Sequence, residues 1–480
     1  MKLARKVARN AIYNTSALIV GSVSGLFLTI ILARVMKPEQ FGIYSLALSI
    51  AMVSIALANL GVDAGVVRYT AYHAGRGDLA KIRGNFRYFL KIKTVLAFSI
   101  SALLAALSGQ IASFFGNESL TLPIAFAGVI VLFASFTNIL NAFFMGLQEF
   151  KYSFLRQVVY EISRWAFVLP LGIAYLAAGA LAGFSMAYAM AFIFLLYVLS
   201  SRYREYVCGE TAVRDERVNV FMGFMTLANI SGMIYAYVDS IMIGYFLGTT
   251  DVGYYRAAYV PVFAVVGMIS SFGGVMFPTY TQMGLEEIRA SFSRILRYTS
   301  IIAFPLMVTI AYLSEQIVTV VYGVDYLPAD LPMKILALAL IPGAFSYLGS
   351  IFSAKERPEI PATLITVSMV LNVILNYVLI TAIGIAGAAI ATVVSRFFVL
   401  LATIFLLHTV FRIVPNFRAT LKPLFAASVM FAVLYAFPKP ETLIYGLVEI
   451  ALAVCVYTAV IFLIKGVSKE DVEFLKDVFR

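Results

Sequence analysis

Residues 21–47 read GSVSGLFLTIILARVMKPEQFGIYSLA, and residues 232–258 read GMIYAYVDSIMIGYFLGTTDVGYYRAA. A shift of 211 pairs Gly21 with Gly232, Ile30 with Ile241, Gly42 with Gly253, Tyr44 with Tyr255 and Ala47 with Ala258. Each stretch is an apolar run, a short polar link and the start of a second apolar run. A shift of 206 then lays 79–98 on 285–304, matching Leu79/Leu285, Ile82/Ile288, Arg83/Arg289, Phe86/Phe292, Leu90/Leu296, Ala97/Ala303 and Phe98/Phe304. The chain is therefore read as two copies of one unit.

The runs are long enough to be membrane spans. About 20 apolar residues in helical form cross the ~30 Å hydrocarbon layer. Fourteen such runs lie near 11–33, 43–66, 94–115, 120–145, 158–178, 180–200, 221–247, 254–278, 299–322, 332–353, 361–382, 385–407, 423–437 and 443–464. They lack the period-two alternation of barrel strands, so helices are expected. Composition agrees: 62% hydrophobic, 13% charged, mean hydropathy +0.93. A water-soluble domain of that composition would expose far too much apolar surface.

The unit repeats after six spans. An even-numbered unit repeats in the same orientation, so the halves are expected to be related by an axis along the membrane normal. The expected divisions are a six-helix bundle over 1–200, a cytoplasmic linker over 201–220, a second six-helix bundle over 221–408, and two additional helices with a tail over 409–480. Most of the 36 Lys and Arg fall on one side of this arrangement, with Arg34, Lys37, Arg256, Lys334 and Lys439 on the other. Basic residues are retained on the cytoplasmic side, which places both termini there. The net charge of +11 is then a topology signal, and nucleic-acid binding is set aside. The first run is too long and too polar for a signal-peptide core. Cys208 and Cys455 fall in different environments and form no disulfide framework.

The segment Ala33-Arg34-Val35-Met36-Lys37-Pro38-Glu39-Gln40-Phe41-Gly42-Ile43-Tyr44 resembles the first external loop of the polysaccharide, or lipid-linked oligosaccharide, flippases of the multidrug/oligosaccharidyl-lipid/polysaccharide exporter superfamily. Further likeness comes from Gly146-Leu147-Gln148-Glu149-Phe150, from Asp239 followed by Met242-Ile243-Gly244-Tyr245-Phe246-Leu247-Gly248, from Val252-Gly253-Tyr254-Tyr255, and from Phe277-Pro278. The resemblance covers essentially the whole chain. It implies an all-α polytopic membrane protein, a V-shaped two-lobed carrier that moves polyprenyl-linked saccharides to the outer leaflet. Drug-exporting relatives carry an acid in the first span for ion coupling. Here that span holds only Asn14 and hydroxyl residues.

Charged residues inside spans are the candidate site. A charge at mid-span costs about 2.5–3.5 kcal/mol on insertion scales, so it must face protein, water or ligand. Arg396 in the twelfth span is the first candidate for substrate binding, because a guanidinium fork matches phosphate oxygens. The alternative is an ion pair with Asp239. Asp239 is also a candidate for coupling or gating, since a buried acid can bind a proton or sodium ion. Glu161 and Arg164 stand three apart on one helix face, placed to pair with each other or snorkel to water, or to meet an entering phosphate. Asp63 and Arg68 bracket the inner end of the second span, Asp63 as a gating and Arg68 as a binding candidate. The basic loop from Arg68 to Lys93 either attracts anionic headgroups or simply sets topology. Pro170, Pro261, Pro305 and Pro342 are hinge candidates.

The inventory argues against an enzyme. His73 and His408 stand alone, there is no zinc-ligand spacing and no Walker loop, and no soluble stretch is long enough to fold by itself. The expected protein is a secondary carrier of the cell membrane without a cofactor, coupled to H+, Na+ or membrane potential. Its partners would be a polyprenyl-phosphate-linked glycan, membrane lipids and glycan-assembly enzymes. The alternative is a cation-coupled multidrug or metabolite exporter of the same fold.

Overall fold

A computed structural model describes residues 2–212, 215, 218–271, 276, 280–413, 418–436 and 443–467. Phe277-Pro278, Lys439, the 468–480 tail and the side chain of Asn14 lie outside this description. Among the described residues every regular element is helical. The chain divides into two compact units, Met1–Arg256 and Ala257–Arg480.

In the first unit the principal helices are α1 (Lys2–Leu57), α2 (Val62–Ala74), α3 (Leu79–Ala106), α4 (Thr121–Gly146), α5 (Phe150–Ser163), α6 (Leu169–Arg202) and α7 (Val218–Phe246), followed by the start of α8 (Thr249–Ser270). The second unit holds the rest of α8, then α9 (Leu285–Tyr312), α10 (Glu359–Ile383), α11 (Ile385–Phe411), α12 (Arg418–Ala436) and α13 (Leu443–Leu463).

Among the described residues ten helices are long and apolar enough to cross a bilayer, or eleven when one bent pair counts as a span. Two of the ten are double-length. The stretch Thr15–Leu57 has 43 residues and Phe150–Arg202 has 53, which would reach ~65 and ~80 Å if straight. Neither fits ~30 Å of hydrocarbon without folding back. The breaks are visible in the backbone. Lys37, at φ 63° and ψ 167°, interrupts α1, because the following Pro38 excludes helical geometry at the residue before it. Tyr175 and Leu176, the latter at φ 52° and ψ −134°, interrupt α6 just before the expected tight link at Ala177-Ala178-Gly179-Ala180. The expected fourteen crossings take each double-length stretch as two and add the bent pair and the shorter helix Val448–Leu463.

The second and tenth spans are among those that depart from the simple rods expected. The second stops at Leu57 and resumes at Val62, with Leu60 (φ 40°) and Gly61 (φ 71°) left-handed between the two helices. The tenth is a bent pair, Val324–Ala337 and Leu340–Ala354, at 44°. Its second arm is interrupted again after Ala344, near Pro342. By contrast Pro261 and Pro305 sit inside continuous helices.

The two turns matched by the repeat touch one another within the first unit. A Cβ on Gly42 would stand 1.7 Å from the Thr249 carbonyl oxygen and 3.0 Å from the Gly253 nitrogen. A Cβ on Gly253 would stand 2.1 Å from the Pro38 carbonyl oxygen and 3.3 Å from the Gly42 nitrogen. The contacts are exchanged, as a local two-fold relation between the turns requires. Only glycine permits this backbone-to-backbone approach.

The described residues of the 201–220 stretch pack against α2 and α3. Arg83 donates through Nε to the Glu205 carbonyl at 2.7 Å and through Nη1 to the Glu210 carbonyl at 3.2 Å. Arg87 donates to the carbonyls of Val207 and Gly209. Asp215 accepts from Asn85 Nδ2 at 2.7 Å and lies 2.8 Å from His73 Nε2. Part of the basic loop is therefore committed to holding the linker. Burial works to raise the Asp215 carboxyl. The bonds from Asn85 and His73 more than offset that and hold it below the ordinary carboxylate range.

Candidate substrate site

The polar centre of the first unit is built on α5 and the turn that follows it. From Arg164 to Val168 the backbone is a π-helical segment, a widened turn common at functional positions. Glu161 and Arg164 are 5% and 8% exposed. They form the expected i,i+3 pair, with Arg164 Nη1 at 3.1 and 3.0 Å from the two carboxylate oxygens. The pair is buried in protein and does not snorkel to water. Ser24 of α1 donates to Glu161 Oε2 at 2.7 Å, and Trp165 Nε1 donates to Ser24 Oγ at 2.9 Å. Gln157 donates to Glu161 Oε1 at 2.8 Å and accepts from Arg156 Nη2 at 2.6 Å. The first span leaves room for this by being small there. A Cβ at Gly21 would lie 2.7 Å from Gln157 Nε2.

Aromatic rings enclose the arginine. Its guanidinium carbon lies 4.9 Å from the Phe184 ring centre and 5.4 Å from that of Tyr160, the geometry of cation–π contacts. Tyr44 is fully enclosed and lies within electrostatic reach of both Arg164 and Arg256. Arg256 itself stands 5.7 Å from the Tyr237 ring. Two guanidinium Nε–H groups in this region, on Arg156 and Arg164, are buried with no acceptor. Such donors favour an acceptor-rich ligand, because an unmet buried donor carries its full desolvation cost.

The remaining candidates are dispersed. Asp239 is 2% exposed and accepts from the Tyr255 hydroxyl at 2.6 Å. Arg396 is half-buried, with its guanidinium carbon 4.3 Å from the Phe263 ring. These two residues belong to different units. Asp63 pairs with Lys93 at 3.0 Å, and Lys93 Nζ also donates to Asn59 Oδ1 at 3.1 Å. Arg68 is exposed and stacks on Phe221, 4.4 Å from the ring centre. It makes no pair with Asp63.

Sequence reasoning passed over Lys93, Arg156, Tyr44 and Arg256. A signal for Lys93 was present. It shares helical spacing with Ile82, Phe86 and Phe89, all buried, and so falls on the core face of α3. Tyr44 was marked only as the repeat partner of Tyr255 and as part of the first external link, which set it apart from the other tyrosines without pointing to a site.

Comparisons with known proteins agree with this architecture. The family model described as polysaccharide biosynthesis protein matches residues 31–331. An uncharacterized membrane protein of Methanocaldococcus jannaschii is 24% identical over 392 residues, covering 76% of this chain and 77% of that one. The probable low-salt glycan biosynthesis flippase Agl15 of Haloferax volcanii is 29% identical over 178 residues, 36% of this chain and 38% of the relative. Among solved structures, the lipid II flippase MurJ in an inward closed conformation superposes with a TM-score of 0.77 at 15% identity, over 98% of this chain and all of that one. At that identity the likeness is one of fold.

Proposed function

The chain belongs to the polysaccharide biosynthesis protein family, and on that premise we propose that it flips a polyprenyl-phosphate- or pyrophosphate-linked oligosaccharide from the cytoplasmic to the outer leaflet of the cell membrane. Movement would be by alternating access, with both termini cytoplasmic and the cargo supplied by glycan-assembly enzymes on that side. The name of the Haloferax relative supports the cargo class.

One observation carries the reading: the buried Arg164 Nε–H without an acceptor. Glu161 engages Nη1, which leaves the Nε–Nη2 edge of the fork for a bidentate phosphate. Arg156 and Arg256 add positive charge nearby, and Tyr44, Tyr160 and Tyr237 offer rings and hydroxyls to a sugar. Glu161 has two duties in this scheme. It neutralises Arg164 in the empty carrier and gives way when phosphate arrives. Arg396 is the cation assigned to the cargo in the second unit, and Arg68 sits on the cytoplasmic approach. Asp239 and Asp63 are the acids assigned to coupling and gating, driven by a proton or sodium gradient or by membrane potential. The chain performs transport without a chemical step on its cargo.

The test is a deletion strain complemented with wild type, Arg164→Ala or Arg164→Lys, followed by lipid extraction and surface-glycan assay. Accumulated lipid-linked oligosaccharide with lost surface glycan in the deletion and in Arg164→Ala is the expected result. Lysine, a point charge without the fork, should restore only part. Unchanged glycan together with raised sensitivity to cationic compounds in the deletion would transfer the protein to the exporter reading.

A further inference from the structure

Glu449 lies in α13, six residues after Leu443, or ~9 Å along the helix axis. It is 7% exposed, and its Oε1 is enclosed with no hydrogen-bond donor among the described residues. Glu449, Ala453, Tyr457 and Ile461 recur at every fourth position and share one face. The last three belong to a single apolar cluster with Met430 and Leu434 of α12 and Phe304 of α9. An acid thus occupies a position in a seam otherwise built of apolar side chains.

The neighbouring elements supply no counter-charge in the described contacts. On α12 the titratable groups are Arg418, Lys422 and Tyr435. Lys422 donates to the Lys465 carbonyl at 2.9 Å, and Tyr435 is exposed. On α9 they are Glu286, Glu287, Arg289, Arg294, Arg297, Tyr298 and Tyr312, the side chain of Arg294 lying outside the described residues. Arg289 is taken by Glu286 and the Phe411 carbonyl, Glu287 accepts from the Gly284 N–H, and Arg297 lies over the Tyr298 ring. On α13 itself Tyr445 is exposed, and the Tyr457 hydroxyl donates to the Ile301 carbonyl at 3.0 Å.

We propose that Glu449 is an intramembrane proton-binding site, occupied as the neutral carboxylic acid in this conformation. An ionised carboxylate there would leave Oε1 enclosed without a donor among the described residues, whereas a bound proton removes the charge. The inference stands apart from the Arg164 site, in the other unit, and does not depend on the identity of the cargo.

The test uses the full chain in lipid vesicles and dicyclohexylcarbodiimide, an apolar reagent that consumes protonated carboxyls. The acid proton passes to a carbodiimide nitrogen and the carboxyl oxygen adds to the central carbon. The acyl group then shifts from oxygen to nitrogen, and no atom is lost. Peptide mass spectrometry at neutral pH should find Glu449 heavier by one carbodiimide, while Glu161, engaged by Arg164, stays unmodified. The yield at Glu449 should fall as pH rises, and Glu449→Gln should remove that mass shift without changing the elution of the folded protein. Glu449 left unmodified while other acids react, or a yield indifferent to pH, overturns the proposal. Either result leaves the Arg164 reading to its own assay, because one experiment reads carboxyl chemistry and the other glycan transport.

Discussion

Arg289 donates to the carbonyl of Phe411 at 3.1 Å, repeating in the second unit the bond from Arg83 to the Glu205 carbonyl at 2.7 Å in the first. From 83 to 289 and from 205 to 411 the shift is 206 in both cases, the same offset that aligns the third span with the ninth. The duplication thus extends from sequence identity to a specific contact. Each arginine meets a carbonyl at or just beyond the end of a long helix, where backbone acceptors lack partners and positive charge is favourable.

Replacing either arginine should therefore weaken its own unit. Arg83→Ala and Arg289→Ala are each expected to cost about 1.5 kcal/mol, the lower end for a charged hydrogen bond because both sites are partly solvated. Thermal unfolding of the purified variants measures this. A drop for one and none for the other would mean that the two bonds are not equivalent.

The Glu161–Arg164 pair makes a separable prediction about stability. Removing one partner of a buried pair strands the other charge, at about 3–5 kcal/mol. Glu161→Gln and Arg164→Met should each destabilise strongly, and the double variant should be less destabilised than the sum. A double-mutant cycle on denaturation midpoints gives the coupling. Additive losses would show that the two side chains do not depend on one another.

At the break in the second span the two partners are unequal. Lys93 is 0% exposed, while the Asp63 side chain retains some exposure. Asp63→Asn leaves an enclosed ammonium with only neutral amide partners, whereas Lys93→Met leaves a carboxylate that can draw water. The aspartate substitution is expected to lower the melting temperature more. The opposite order would argue against this placement of Lys93.

The linker contact carries a pH dependence with a definite sign. The Asp215 carboxyl is held below its ordinary range in the folded chain, so its contribution is complete above the ordinary carboxylate pKa of ~4 and is lost as pH falls through the folded value. Amide exchange at residues 204–212, compared at neutral and strongly acidic pH after correction for intrinsic rates, should show the linker loosening only in acid. Asp215→Asn should remove most of that difference.

Arg396→Ala is expected to abolish transport while the protein stays abundant and folded, measured by the same lipid and glycan assays. Retained transport would exclude Arg396 from the cargo path.

Apolar run length, the repeat and the side preference of basic residues were legible in the chain as written, because hydrocarbon thickness and helical rise are constraints on length and composition alone. The Glu161–Arg164 pairing was legible for a related reason, since i,i+3 neighbours on a helix meet whatever surrounds them. The partners of Asp63 and Asp215 were not. Lys93 lies 30 residues from Asp63, and Asn85 lies 130 from Asp215. Nothing local in the chain distinguishes a lysine that closes a helix break from one that anchors a loop. The breaks at Leu60-Gly61 and after Ala344, the meeting of Gly42 with Gly253, and the enclosure of Glu449 were likewise set by packing between distant segments. Burial and hydrogen-bond partnership belong to the folded surroundings, and only tertiary structure specifies those.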